Sequence, residues 1–363
     1  MKDTKTFSKK LLEESRNILN NIKNTEVFNL NYIPEEIYIR KELETAGKYI
    51  AEYILTGIPN NLIVYGNKGS GKTTSILNLL NAFKEDKKLD FVYLNSVDNS
   101  TSYKLFEAIA GKTGRGYALN DTIQWATEKL KGRYIVIIDE ADVLKDHKIL
   151  YHLSRQTRVS IILLTQKLFW FNSLEDSIKS SLQPIHVNFK AYEVNEIRII
   201  LEMRAKEGLN EYEKGGINLM SALIYRDYNS DVRVGIRALY LLGQSNKWSS
   251  EDINKALEQA YKEVEYSVIR NLKDTEIIIL SALIKENNTS RAFKIAENYM
   301  NSFMGFSIGK RQYNNIIHDL NNLGLFNIVR KREGRYYTFE VQMLMPDNKL
   351  IQNELKNRFG INE

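Results

Sequence analysis

The 363-residue sequence predicts an α/β fold, in which helices cover a parallel β-sheet, followed by a helical region and a terminal unit of mixed α and β structure. Three observations support this prediction. Short apolar, β-branched runs alternate with helical segments in the first half of the chain, as in parallel α/β sheets. After about residue 191 the apolar spacing is purely helical. The last quarter ends in two short strands with alternating polarity.

The first half supplies the strands of the predicted sheet. Residues 1–25 are polar, with apolar side chains at helical spacing, and predict a solvated N-terminal helix. Apolar runs at 62–65, 134–138 and 159–166 predict buried strands, and the run at 134–138 is too continuous for a half-exposed strand, so that strand is expected to be covered on both faces. Further strands are predicted at 90–94 and 186–189, with helices at 74–80 and 103–110.

The glycine-rich segment after the first strand carries the strongest chemical signal. Residues 66–73, GNKGSGKT, fill every fixed position of the phosphate-binding loop GxxxxGK[ST], between a strand and an opening helix as the motif requires. In such a loop, backbone N–H groups and the helix N-terminus surround phosphate oxygens, while Lys72 reaches the outer phosphates and Thr73 offers a hydroxyl to Mg²⁺. The loop therefore predicts binding of ATP or ADP through Asn67, Lys68, Gly69, Ser70, Gly71, Lys72, Thr73 and Thr74.

Two acidic residues follow the buried strand at 134–138. Ligands of parallel sheets bind at the carboxyl ends of the strands, which is where Asp139 and Glu140 would lie. Asp139 is predicted to hold Mg²⁺ together with Thr73, and Glu140 to orient and deprotonate the attacking water. The pair predicts Mg²⁺-dependent hydrolysis of ATP to ADP and phosphate.

Composition limits the other kinds of site. The chain has no cysteine, which excludes disulfides, thiolate metal sites and thiol nucleophiles, and its four histidines lack metal-ligand spacing, so we expect no structural metal. No apolar stretch reaches the roughly 20 residues of a membrane span. We therefore expect a soluble, cytoplasmic, nucleoid-associated protein without membrane contact. A net charge of +6 suits a polyanionic partner.

The last quarter of the chain is the predicted site of contact with that partner. Helices at 275–285, 291–304 and 308–323 precede two strands, 325–329 and 336–341, which flank a charged turn at 330–335. Three helices and a hairpin make a winged helix, a fold that places its third helix in the DNA major groove and its hairpin against phosphates or the minor groove. The predicted DNA-binding residues are Lys310, Arg311, Asn314, Arg330, Lys331, Arg332 and Arg335. The alternative is a winged helix that binds protein and carries a solvated basic hairpin.

The segments that join the predicted domains are more specific for one protein family than the phosphate loop is. Residues 32–42 form a Pro-containing lead-in, residues 189–192 and 200–205 follow the last strand, and residues 230–233 read Ser-Asp-Val-Arg where a Gly-Asp-Ala-Arg motif is expected. With these segments the chain, from about residue 27 to 345, resembles the archaeal origin-recognition-type replication initiators, which are AAA+ ATPases.

The resemblance implies a fold and further site residues. The fold is an α/β AAA+ parallel-sheet ATPase core with a helical lid, plus a C-terminal winged-helix domain. Arg40 is expected near the nucleotide base, Tyr192 and Arg204 at the nucleotide, and Arg233 as a lid cation that senses the γ-phosphate. The expected domains are an N-terminal helical extension (1–26), a nucleotide-binding domain (27–190), a helical lid (191–267), a winged helix (268–347) and a C-terminal tail (348–363).

Two positions depart from the family pattern. Gln166 stands where the family usually has the Asn of its first sensor, so a longer amide must orient the water and hydrolysis is expected to be slow. Residues 176–179, Asp-Ser-Ile-Lys, replace a frequent Pro-Arg, and the operation of an arginine finger from a neighbouring subunit stays open because Lys179 cannot reproduce a bidentate guanidinium.

Three hypotheses about function follow from these observations. The first is an ATP-dependent replication initiator that binds double-stranded origin DNA and helps recruit or load the replicative helicase, with other initiator copies as further partners on DNA. The second is a nucleotide-gated switch of a mobile element, which binds DNA or protein and turns over little ATP. The third is a clamp-loader or transposition-helper ATPase.

Overall fold

The computed structural model describes residues 4–85, 89–112, 117–166, 168–270, 272–322, 325–333, 336–343 and 348–360. The chain divides into two compact units, Met1–Tyr261 and Lys262–Glu363, and the division falls within a long helix. Among the described helices, none combines the length and the apolar character needed to cross a membrane.

The first unit follows the alternating order expected from the sequence. Its elements are α1 (Thr4–Ile18), α2 (Lys41–Thr56), β1 (Leu62–Tyr65), α3 (Lys72–Glu85), β2 (Asp90–Asn95), α4 (Ser102–Ala110), α5 (Leu119–Lys129), β3 (Tyr134–Asp139), α6 (Lys148–Leu153), β4 (Val159–Thr165), α7 (Leu168–Asn172), α8 (Asp176–Leu182), β5 (Ile185–Asn188), α9 (Val194–Gly208), α10 (Lys214–Asp227), α11 (Val232–Ser245) and α12 (Ser250–Arg270).

The strands of the first unit form one parallel sheet in the order β2-β3-β4-β1-β5. This confirms the predicted parallel α/β core. Because neighbouring strands are parallel, their carboxyl ends lie along one edge of the sheet. The phosphate loop follows β1 and Asp139 ends β3, with β4 between these two strands. Strand order thus brings the predicted site residues to the same edge.

Alternation of side chains along β3 explains why this strand reads as one continuous apolar run. Ile135 and Ile137 belong to a core cluster with residues of α2 and α3, whereas Val136 and Ile138 belong to a second cluster with residues of α4 to α6. All four side chains are fully buried. Helices therefore cover both faces of the strand, as its composition indicated.

Helices α9 to α11 and the first turns of α12 form the predicted helical bundle, and Val27 and Phe28 also belong to its core. Helical spacing in the sequence predicts one buried face on α9 that carries Val194, Ile197, Leu201 and Arg204. The last three are buried, whereas Val194, the first residue of α9, is 37% exposed. A helix's opening turn extends beyond the neighbours that cover its middle, so periodicity alone does not ensure burial there.

The second unit contains α13 (Asp274–Lys285), α14 (Thr289–Met304), α15 (Lys310–Asn322), β6 (Phe326–Glu333), β7 (Tyr336–Met343) and α16 (Asn348–Phe359). Three helices followed by an antiparallel hairpin confirm the predicted winged-helix arrangement. The segment that the sequence assigned to a tail contains α16, whose Ile351 and Leu355 are buried in the core of this unit.

The hairpin is longer than the sequence predicted. Arg330, Lys331 and Arg332 were expected in a charged turn, but they lie within β6 and pair with Phe339, Thr338 and Tyr337 of β7. Charged side chains are compatible with an exposed strand, since ladder hydrogen bonds use the backbone only. Arg335 lies outside the described residues.

Candidate nucleotide site and nucleic-acid interface

The phosphate loop joins β1 to α3, and close neighbours exclude side chains from its glycines. A Cβ atom on Gly69 would collide with the Asp231 carboxylate, and one on Gly71 would collide with the Tyr192 hydroxyl. Both glycines also have left-handed φ values, 72° and 79°, which L side chains rarely adopt. Only glycine therefore fits at these two positions, and a glycine-rich loop that leads into a helix N-terminus is the arrangement that binds phosphate.

Lys72 lies inside the loop that it is predicted to serve. Its Nζ donates hydrogen bonds to the backbone carbonyl oxygens of Gly66 (2.8 Å) and Asn67 (2.9 Å), and the residue is only 8% exposed. Burial lowers the pKa of Lys72 to about 8, although the negative charge of Asp139 acts in the opposite direction. An incoming phosphate would favour the protonated amine.

Asp139, at the end of β3, accepts three hydrogen bonds. The Thr73 hydroxyl and the Tyr93 hydroxyl both donate to Oδ2 at 2.8 Å, and the Glu140 backbone N–H donates to Oδ1 at 2.8 Å. Thr73 and Asp139, the predicted Mg²⁺ ligands, are thus in direct contact. Two oxygen ligands beside a phosphate loop fit Mg²⁺, which takes one or two protein oxygens together with phosphates and water.

Tyr93 of β2 is a site residue that sequence reasoning missed. Burial, followed by the negative charge of Asp139, raises the pKa of Tyr93, so the hydroxyl stays protonated and donates to the carboxylate. Asn95 pairs with Asp139 in the sheet, and Tyr93 precedes it by two residues on the same face. The detectable signal was a tyrosine two residues before the end of a run that was interpreted only as a strand.

Glu140 combines an unusual backbone with a perturbed carboxyl group. Its φ of 50° is left-handed, a conformation that costs free energy for a residue with a side chain and that often marks active sites. Burial, together with the charge of Asp139, raises the pKa of Glu140. A carboxylate with a raised pKa accepts a proton more readily, as a general base requires.

The lid contacts the phosphate loop through the turn before α11. Asp231 accepts from the Arg233 backbone N–H (3.0 Å) and from its guanidinium, with Nε–Oδ1 2.9 Å and Nη2–Oδ2 2.5 Å. Because Asp231 lies against Gly69, this pair places Arg233 next to the loop. Asn229 and Ser230, the two residues before Asp231, both have left-handed φ values, 52° and 57°.

Arg40 and Tyr192 line the loop from a second direction. Arg40 donates to the carbonyl oxygens of Lys190 (3.0 Å) and Ser70 (3.4 Å), and its guanidinium lies 4.4 Å from the centre of the Tyr192 ring. Burial raises the pKa of Tyr192 to about 12. The two residues therefore hold the start of α2, the start of the lid and the phosphate loop together.

Arg204, unlike the other predicted nucleotide contacts, makes its hydrogen bonds away from the phosphate loop. Its guanidinium donates to the carbonyl oxygens of Val27 (3.2 Å) and Tyr32 (3.4 Å) and lies 5.0 Å from the centre of the Tyr32 ring. These contacts connect the lid to the lead-in segment. Direct contact with a nucleotide stays a prediction for this residue.

The departures from the family pattern lie at the sheet edge and in α8. Gln166 follows the last residue of β4, between the phosphate loop and Asp139 in the order of the sheet. Lys179 forms an ion pair with Asp176 (2.8 Å) and donates to the carbonyl oxygen of Asn172 (3.3 Å). Its ammonium group is thus bound within α7 and α8.

The candidate DNA helix, α15, has one buried and one exposed face. Tyr313 and Ile317 are buried in the core of the unit, and the Tyr313 hydroxyl donates to the Thr289 carbonyl oxygen (2.8 Å). Helical spacing then directs the predicted DNA-binding residues outward from the leading end of the helix. Lys310, Arg311 and Asn314 are all exposed.

The hairpin divides its basic residues between two faces. Lys331 forms an ion pair with Glu340 across the strands (3.1 Å). Side-chain alternation places Arg330 and Arg332 on the opposite face, where the Arg330 guanidinium lies 3.6 Å from the centre of the Tyr337 ring. Lys331 therefore has a carboxylate partner, whereas Arg330 packs on an aromatic ring.

Comparison with known proteins agrees with this architecture. The family described as AAA domain matches residues 59–174. An ORC1-type DNA replication protein of Pyrococcus furiosus is 26% identical, with 93% of this chain and 90% of the relative covered. One of Methanothermobacter thermautotrophicus is 27% identical, with 86% and 90% covered.

Solved structures show the same fold. The Aeropyrum pernix ORC1 protein, solved in complex with DNA, aligns with a TM-score of 0.74 and 23% identity over 94% of this chain and 98% of its own. The ORC2 protein of that organism, solved as ADPNP–ADP complexes, aligns with a TM-score of 0.59 and 21% identity over 94% and 100%. The fold is therefore an AAA+ parallel-sheet core with a helical lid and a C-terminal winged helix. The resemblance found in the sequence is confirmed, because over most of its length the chain is similar to archaeal ORC1-type DNA replication proteins.

Proposed function

We propose that this protein is an ATP-dependent replication initiator that binds duplex origin DNA. The proposal depends on one observation, which is that a single chain contains both a nucleotide site and a basic winged helix. In the nucleotide site, Thr73 of the phosphate loop contacts Asp139, and the third helix of the winged helix exposes Lys310 and Arg311. The similarity to ORC1-type DNA replication proteins over most of the chain supports it.

Each residue of the nucleotide site has a role in this proposal. Lys72 neutralises the outer phosphates, and Thr73 and Asp139 hold Mg²⁺, which spreads the charge of the phosphates when it is bound. Glu140, with its raised pKa, takes the proton of the attacking water, and Gln166 orients that water from the end of β4. Turnover is expected to be slow because the amide of Gln166 sits on a longer side chain than the usual Asn.

The lid supplies the sensitivity to nucleotide state. Arg233 is bound by Asp231, and the γ-phosphate of ATP, which carries more charge than a carboxylate, competes for the same guanidinium. ADP lacks that phosphate. The turn before α11 is therefore expected to differ between ATP and ADP, which would make DNA binding depend on the nucleotide.

Duplex DNA is the proposed partner of the second unit. The exposed face of α15 would read base edges in the major groove, while Arg330, Lys331, Arg332 and Arg335 would meet phosphates or the minor groove. Recruitment of the replicative helicase and contacts with other initiator copies belong to the same proposal. The domain division at residues 26, 190, 267 and 347 stays a prediction as well.

Footprinting on DNA that flanks the encoding gene, with ATP and with ADP, tests the proposal. We expect a protected duplex site whose occupancy depends on the nucleotide and that is lost in the Lys310→Ala, Arg311→Ala double variant. A matched control is the Arg226→Ala, Lys255→Ala double variant, which removes two exposed cations from α10 and α12. If both double variants lose protection of the DNA equally, the loss follows from the lower net charge, and recognition by α15 is contradicted.

A nucleotide-gated switch of a mobile element is the second candidate. Two observations favour it: Gln166 replaces the usual Asn, and the ammonium of Lys179 is paired with Asp176. Single-turnover hydrolysis separates the candidates. A measurable wild-type rate that disappears in Glu140→Gln supports the ATPase, whereas a wild type as inactive as the variant supports the switch.

A further inference from the structure

The outer part of the hairpin carries a surface that duplex recognition leaves unexplained. Strand pairing sets Arg330 opposite Phe339 and Arg332 opposite Tyr337. Since side chains alternate along each strand, these four residues share one face. We call the four residues the arginine–aromatic face.

Burial changes along this face of the hairpin. Near the base, Phe326 and Val341 point to the same side and are buried in the core of the second unit. Farther out the core ends, and Tyr337 and Phe339 are 55% and 49% exposed. Two adjacent exposed aromatic rings are more than scattered surface apolar residues, and such patches mark binding sites.

The two faces of the hairpin differ in charge. On one, Lys331 is neutralised by Glu340 at 3.1 Å. On the arginine–aromatic face, the described residues of β6 and β7 include two arginines and no acidic residue. That face therefore combines positive charge with aromatic rings, which fits a polyanion that also presents flat apolar groups.

Stacking geometry indicates which polyanion this is. The Arg330 guanidinium lies 3.6 Å from the centre of the Tyr337 ring, so one planar group already covers another. Aromatic rings and guanidinium planes bind the faces of nucleobases, and single-stranded nucleic acids are bound in this way. In an intact duplex the base faces are stacked on one another, and only their edges are accessible in the grooves.

We propose that the arginine–aromatic face binds unpaired bases of locally opened DNA, beside the duplex that α15 contacts. This inference rests on the proposed function and extends it from duplex recognition to the holding of separated strands. Arg330 and Arg332 would meet phosphates, while Tyr337 and Phe339 would stack on bases. A stretch of unpaired bases would gain contacts that paired bases cannot make.

Fluorescence anisotropy with the full chain tests the inference on three labelled DNAs. The first is a fully paired duplex, the second carries a mismatched bubble, and the third has an abasic bubble that keeps the phosphates but lacks the bases. We expect the bubble to bind about tenfold more tightly than the duplex, and the abasic bubble to lose that preference, because base stacking supplies it. An abasic bubble that binds as well as the base-bearing one would overturn the inference.

A double variant, Tyr337→Ile with Phe339→Ile, keeps apolar, strand-forming side chains but removes the rings. It should lose the bubble preference and keep its affinity for the duplex. Val329→Ala, at an exposed apolar position on the other face of β6, is the matched control and should keep the preference. If the double variant binds all three DNAs as the wild type does, the rings serve a protein partner and the inference fails. Failure of every variant and the wild type to bind duplex would instead contradict the proposed function.

Discussion

At the residue scale, the Asp139 carboxylate shows how the sheet concentrates chemistry on one group. Its oxygens accept hydrogen bonds from Thr73, Tyr93 and the Glu140 backbone, so both oxygens are held in place before any cation arrives. Pre-oriented ligands reduce the ordering that binding would otherwise require. The contribution of Tyr93 can be measured separately because only its hydroxyl reaches the site.

Tyr93→Phe removes that hydroxyl and leaves the ring in place. We expect the affinity for Mg²⁺-ATP to fall about tenfold, since a hydrogen bond to a charged group contributes about 1.5 kcal/mol. Affinity measured in EDTA should change little, because Tyr93 acts on the metal ligand and not on the phosphate loop. Titration with a fluorescent ATP analogue measures both values. Tyr134→Phe, at the other end of β3, serves as the control, and an equal fall in EDTA would contradict the role.

The lowered pKa of Lys72 predicts how nucleotide binding depends on pH. Without nucleotide its pKa is about 8, and bound phosphate raises it, so above pH 8 binding must take up a proton. Affinity for ADP in EDTA should therefore be steady below about pH 7.5 and fall by up to about tenfold per pH unit above 8.

Calorimetry in buffers with different ionisation enthalpies measures the proton uptake directly. Lys72→Arg is the matched control, because a guanidinium keeps its charge throughout this range. Its affinity should be weaker and independent of pH. A wild-type affinity that stays constant between about pH 7 and 10 would show that Lys72 does not titrate on binding.

At the element scale, the turn between α10 and α11 maintains a strained backbone to place Asp231 and Arg233. Ser230 has a φ of 57°, a region that glycine adopts without steric cost. The related motif has Gly at this position. The chain thus keeps the geometry of the motif without its most suitable residue, which is consistent with a turn whose shape matters for the site.

Ser230→Gly should relieve that strain. We expect the free energy of unfolding to rise by about 0.5–1 kcal/mol, since a left-handed residue with a side chain costs about 1–2 kcal/mol and glycine loses more entropy on folding. Urea denaturation of the full chain measures the change. Ser221→Gly, in the right-handed helix α10, should lower stability by about 1 kcal/mol, and a fall in both variants would contradict strain at Ser230.

Elements also show where sequence patterns were sufficient. The β3 run predicted a strand buried on both faces because its apolar residues are contiguous, and the structure confirms this. The hairpin was predicted too short, since runs of Arg and Lys are more typical of turns. Its extension through Glu333 depends on backbone pairing with β7, which side-chain character does not encode.

At the scale of the whole molecule, the distribution of charge bears on the proposed contact with DNA. The net charge is +6, and residues 268–346 contain 11 basic and 7 acidic residues. Some of these basic residues are already paired, as the ion pair of Lys331 with Glu340 illustrates. The number of basic residues therefore overstates the number of cations available for phosphate contacts.

Salt dependence counts the phosphate contacts. If the proposed residues of α15 and the hairpin reach phosphates, duplex affinity should fall by about 10²-fold or more between 50 and 200 mM salt. Anisotropy titrations over that range give the slope. Arg330→Ala should reduce it by about one contact, whereas Lys331→Ala should change it less, because Glu340 already pairs with Lys331. Affinity that ignores salt would contradict phosphate binding.

The sequence by itself determined the order of the elements, the phosphate loop, the Asp139–Glu140 pair and the basic winged helix, because each depends on residues close together in the chain. Only the tertiary structure decided which distant side chains meet. The Tyr93–Asp139 bond, the contact of Asp231 with Gly69 and the separation of Arg330 from Lys331 arise from strand order, lid packing and register. Local patterns specify what an element is, whereas contacts between elements depend on how the whole chain buries its apolar surface.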